Sequence, residues 1–123
     1  MAEIFYQELS FNVVGAAMEV HKVLGPGYLE TVYHKALEHE LALRGLPFES
    51  HKCLRVHYKQ LLVGEYETDL IVDDRIVLEL KAVSTINANH IAQVHHYLAA
   101  TGHRLGIILN FGAESLGMKR IIK

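Results

Sequence analysis

The sequence predicts one α/β domain, a mixed sheet that begins as an antiparallel meander and is flanked by helices, in the order ααβββαβ(β). Three observations predict it. Two apolar stripes of helical spacing open the chain; three runs rich in β-forming residues follow between Phe48 and Val83; an almost unbroken apolar run, Leu105 to Phe111, comes after a third helical stripe. With 123 residues the chain can bury a real core but has little room for a second, so residues 1–123 are expected to form a single domain.

Val13, Ala16, Ala17, Val20 and Leu24 recur at spacings of three and four, the stripe of an amphipathic helix with Ser10 as its expected N-cap. Gly25-Pro26-Gly27 interrupts it, because two glycines and a proline continue a helix only at high cost. Leu29, Val32, Tyr33, Ala36, Leu37 and Leu41 share one face of a second helix, which Arg44, Gly45 and Pro47 close. Strands are expected over Phe48–Tyr58, Leu61–Val72 and Ile76–Val83. Asn87 then caps a helix striped by Ile91, Val94 and Leu98 and ended at Thr101-Gly102. Leu105–Phe111 reads as a strand buried on both faces, and Arg120–Ile122 as a short edge strand.

Composition narrows the classes of function. Half the residues are apolar, which argues against disorder. No apolar run has the length of a membrane span, and Met1–Ser10 carries Glu3 and Glu8 where a signal peptide needs a basic end and an apolar stretch, so a cytoplasmic protein with no membrane partner is expected. The single cysteine, Cys53, has no partner for a disulfide and is expected to be a packing residue in a strand. The net charge of −2 shows no basic excess for tight non-specific nucleic-acid binding; Lys52, Arg55, Lys59 and Arg104 are candidates for a local basic face. Nine histidines are scattered without a ligand-like pair, which speaks against a histidine-built zinc site.

The segment from Glu67 to Lys81 carries the chemistry. If Leu70, Val72, Ile76, Leu78 and Leu80 share an apolar face across a hairpin, the turn must hold an odd number of residues or a bulge must intervene, and Asp69, Glu79 and Lys81 fall on the other face. With Asp73-Asp74-Arg75 as the turn, Asp69 lies opposite Glu79, and two carboxylates so placed call for positive charge between them. Lys81 can supply it on a solvated face. A Mg²⁺ or Mn²⁺ ion is the other explanation, since hard cations take a few carboxylates, waters and a main-chain carbonyl such as that of Leu80.

The pattern Asp69, then Glu79-Leu80-Lys81, resembles the D…ExK signature of the PD-(D/E)XK nucleases. The run Gly27-Tyr28-Leu29-Glu30-Thr31-Val32-Tyr33 matches the G-x-x-E-x-x-Y signature of the GxxExxY protein family, a branch of that superfamily. The resemblance continues through His21–Pro26, through Gln93-Val94-His95-His96-Tyr97, similar to a Q-x-x-x-Y motif, and through Leu109-Asn110-Phe111-Gly112. It implies a restriction-endonuclease-like core whose metal ligands are Glu30, Asp69, Glu79 and the Leu80 carbonyl, with Glu30, Asp69, Glu79 and Lys81 as the catalytic set. Gln93, Tyr97 and Tyr33 become candidates for supporting the site or binding substrate; His21 and His90 lie near enough in sequence to touch phosphate or to serve as structural hydrogen-bonders. The expected function is Mg²⁺- or Mn²⁺-dependent phosphodiester hydrolysis, on DNA rather than RNA. The alternative is a non-cleaving nucleic-acid-binding or oligomeric module that keeps the fold, and a homodimer or higher oligomer is compatible with either.

Overall fold

The computed structural model describes residues 6–123, so Glu3 lies outside the described residues. The expected element order holds: α1 (Gln7–Leu24), α2 (Glu30–Leu43), β1 (Phe48–Tyr58), β2 (Leu61–Val72), β3 (Ile76–Lys81), α3 (Ala88–Thr101), β4 (Leu105–Asn110) and β5 (Gly117–Ile122). The five strands lie side by side in chain order, antiparallel except for β3 and β4. A parallel pair needs a long crossover, and α3 supplies it.

Helices cover both sheet faces. Leu70, Val72, Leu78 and Leu80 point into a cluster with α1 and α2, while Ile71, Val77 and Ile108 meet Val94, Tyr97 and Leu98 of α3. β3 and β4 are therefore apolar on both faces, as the run from Leu105 predicts. The β2–β3 turn is Asp73-Asp74-Arg75, with Val72 paired to Ile76 and both aspartates at positive φ (51° and 52°). Asn87 caps α3, its side chain accepting from the His90 N–H at 3.1 Å while the His90 ring accepts from the Asn87 N–H at 3.2 Å.

Several expectations need correction. Ser10 lies inside α1, which starts at Gln7, and its buried hydroxyl meets the Arg120 guanidinium of β5. Its partner is 110 residues away, so no local rule marks it. Cys53 is exposed, because β1 and β2 run on beyond the sheet as a two-stranded arm with its own turn at Lys59-Gln60. β3 stops at Lys81, two residues early, and β5 begins at Gly117, three residues early.

The arm leaves the sheet at one place. The β2–β3 ladder runs only from Leu70↔Leu78 to Val72↔Ile76. Tyr66 and Ile71 both pack on the α3 side although they stand an odd number of positions apart, so strict alternation slips between them. β1 slips too: Phe48 faces the α1–α2 cluster and Leu54 the α3 cluster, with His51 at φ 56° between. The pleat thus changes face around His51 and Asp69.

Candidate active site

A strand that loses its neighbour leaves main-chain groups to be satisfied. Beyond Leu78, β3 has lost β2, and the Asp69 carboxylate takes the place of the missing ladder, accepting from the Leu80 N–H at 2.7 Å. The N–H and C=O of one strand residue point to the same edge, so the Leu80 carbonyl also faces this gap. Lys81 points its carbonyl to the opposite edge, where it accepts from the Phe111 N–H at 2.8 Å, which confirms the phase.

Glu79 shares its sheet face with Val77 and is only 7% exposed. Thr68, fully buried, donates its hydroxyl to Glu79 Oε1 at 2.9 Å. Burial, and then the negative charge of Asp69, push the Glu79 carboxyl up to about 7, against the opposing pull of Thr68 and Lys81. Glu30 begins α2 with its side chain largely open to solvent. Partial desolvation and then Asp69 still raise its pKa, while Lys81 and His34 lower it. The two acids thus feel the same pair, Asp69 and Lys81. Lys81 also lowers His90, after desolvation as the larger cause, which sets the amine near the N-terminal turn of α3.

Two devices hold these residues. Asn110, next to Lys81 in the parallel ladder, accepts from the Val83 N–H at 3.0 Å and donates to the Val83 carbonyl at 2.9 Å, so the chain leaving Lys81 is clamped. Gly112 permits the close approach: a Cβ there would lie 2.5 Å from both Val83 N and Val83 O. On the other side, Tyr33 is fully buried, stacks on Phe111 at 4.7 Å, donates to the Gly25 carbonyl at 2.6 Å and accepts from the Tyr28 N–H at 3.1 Å. It latches the turn that delivers Glu30, in which Gly25 and Gly27 have φ of 70° and 114°.

The remaining sequence candidates separate. Tyr97 is buried and packs on Tyr66 at 5.5 Å, whereas Gln93 is exposed on the same helix. Both tyrosine hydroxyls are pushed up, by burial first and then by the Glu79 charge. His21 is buried against the Ala113 carbonyl at 2.9 Å, and the His90 ring caps α3, so both are structural hydrogen-bonders here. Sequence reasoning passed over Thr68, Tyr66 and the clamp role of Asn110. Thr68 directly precedes Asp69, and Asn110 falls within a matched run, but alternation placed Thr68 on the face away from Glu79.

Among the described residues, no group of three or more His, Cys, Asp or Glu side chains is gathered as ligands for one ion. The donor chemistry still fits a hard divalent cation, which needs only one or two carboxylates with other oxygens. Asp69, the carbonyl of Leu80 and the buried Glu79 provide oxygen donors at one corner, with Glu30 at its rim.

The comparisons agree with this architecture. A family model described as the PD-(D/E)XK nuclease superfamily matches residues 7–121, and the chain belongs to that superfamily. The fold is similar to the crystal structure of SSO0001, at a TM-score of 0.57 and 20% identity over 96% of this chain and 57% of that one. It is also similar to an alkaline exonuclease (LHK-Exo) from Laribacter hongkongensis, at a TM-score of 0.54 and 12% identity over 100% of this chain and 72% of that one. The chain thus spans little more than half the length of the first of these structures. No curated protein matches it.

Proposed function

We propose that this protein is a nuclease of the GxxExxY branch that hydrolyses phosphodiester bonds, with DNA preferred to RNA, in a Mg²⁺- or Mn²⁺-dependent reaction. One observation carries the reading: Glu79 is buried beside Asp69, within the field of Lys81, where the β2–β3 ladder opens. Glu30, Asp69 and Glu79 with the Leu80 carbonyl would hold the ion. When bound, such an ion acts as a Lewis acid at the phosphate and lowers the pKa of a coordinated water.

The chain's own residues do the rest. Thr68 orients Glu79, and the Leu80 N–H orients Asp69, so neither carboxylate must be ordered at the moment of reaction. Lys81, anchored through Asn110 and Phe111, orients the attacking water and sets a positive charge where the phosphate gains negative charge. Gln93 is free to reach a substrate from α3, while Tyr97 and Tyr33 position the walls. The test is cleavage of single-stranded, duplex and branched DNA and of RNA, with Mg²⁺, Mn²⁺ or EDTA, by wild type, Lys81→Ala and Asp69→Ala. Metal-dependent products from wild type alone are expected. Binding with a clear salt dependence but no products under any metal would instead favour the non-cleaving module.

A further inference from the structure

Between the β1–β2 arm and α3 lies a cleft of about 420 Å³. Leu54, Val56, Val63 and Tyr66 form its sheet wall; His96 and Tyr97 stand on its helix wall. Of these residues the reaction above uses Tyr97 alone. The cleft leads to the site, because Tyr66 of its wall lies two residues along β2 from Thr68, whose hydroxyl donates to Glu79 at 2.9 Å. Its outer residues are uncovered: Val56 is 42% exposed and Val63 55%.

We propose that this cleft receives an unpaired nucleobase of the strand whose phosphate lies at Glu79 and Asp69, which makes single-stranded nucleic acid, or a single-stranded end, the substrate class. The inference rests on the nuclease reading. Charge decides for a base rather than for more backbone. The chain has a net charge of −2, and two of the arm's three cations are paired with carboxylates, Arg55 with Glu65 at 3.6 Å and Lys52 with Glu49 at 3.1 Å, while Lys59 sits at the tip over the Tyr58 ring. Counterion release therefore supplies little, and affinity must come from contacts that need no charge. An apolar cleft with Tyr66 and His96 in its walls offers them, since every base has a flat face to stack. A paired base stays within its duplex and cannot enter a cleft between a strand arm and a helix.

The test measures binding of a short fluorescein-labelled oligothymidylate, its all-abasic counterpart and its blunt duplex by anisotropy in Ca²⁺, with cleavage in Mg²⁺ run on the same samples. Wild type should bind the base-bearing strand at least about tenfold more tightly than the abasic strand, the effect of stacking one base. Val63→Glu and His96→Ala, on opposite walls, should bring that ratio towards one, while Leu43→Glu, an equal charge change at an exposed site at the far end of α2, leaves it unchanged. Thermal melts confirm that each variant is folded. Equal affinity for both strands in wild type, with cleavage persisting, overturns the cleft assignment and leaves the nuclease reading standing. No binding and no cleavage of any strand overturns both. A wild-type dimer in sedimentation that Val63→Glu dissociates, with strand binding unaltered, assigns the cleft to a second copy and also overturns the inference.

Discussion

From Leu70 to Val72, β2 lies between β1 and β3 and every side chain is buried; from Leu61 to Glu67 it pairs with β1, and all but Tyr66 are exposed. The same strand is core at one end and arm at the other. Thr68 and Asp69 occupy the junction, and they are the residues that hold Glu79 and Leu80. The difference teaches where a polar site can be built at low cost. A continuous ladder would use every main-chain group of β3, whereas a diverging one frees the Leu80 N–H and carbonyl and lets side chains replace the lost partner. The inner half supplies rigidity and the junction supplies the polar groups of the proposed site.

The sharpest way to break this comparison is Lys81→Ala. Cleavage should fall by roughly two to four orders of magnitude, the range for a residue that manages protons or the nucleophile, while circular dichroism and melting temperature stay near wild type. A collapse of the fold would make the junction a structural element instead. Next in size is the contrast between the two halves. Leu78→Ala, fully buried opposite Leu70, should cost about 2–5 kcal/mol in urea unfolding, and Val63→Ala on the arm no more than about 0.5 kcal/mol. Similar losses at both positions would mean that the arm is part of the core.

Glu79 sharpens the comparison through pH. Its carboxyl holds a proton up to about 7 when folded, against 4.5 for an ordinary, solvated glutamate. The stability tied to that proton is fully present below the unfolded value and is lost as pH rises through the folded one. Metal-free wild type should therefore lose on the order of 2–3 kcal/mol relative to Glu79→Gln between pH 4.5 and 7, read as the difference in urea midpoints. A pH-independent difference would place Glu79 in a more solvated setting than the one described. The smallest effect is expected for Asp69→Asn without metal. The amide oxygen can still accept from the Leu80 N–H and one source of repulsion is gone, so the melting temperature should hold or rise slightly. A marked fall would identify Asp69 as one arm of a fold-supporting ion pair.

Much of the molecule follows from local spacing alone. The stripes of α1, α2 and α3, the Asn87 cap, the Asp73-Asp74-Arg75 turn and the shared face of Val77 and Glu79 all arise from periods of 3.6 and 2.0 acting over a few residues. The sequence pattern also singled out the segment that carries Asp69, Glu79 and Lys81. What local spacing does not encode is where a ladder ends, because that depends on how far two strands stay together before twist and the covering helices separate them. Alternation carried on through Asp69 put Thr68 on the wrong face and left no sign that the pleat would slip at His51. The helical stripe likewise made Ser10 a cap, and the lack of a second cysteine made Cys53 a packing residue, when the partner of one is Arg120 on a distant strand and the other lies on an uncovered arm. Those placements, with the Asn110 clamp on Val83, join residues far apart in the chain, and the close approach of separate elements decides them.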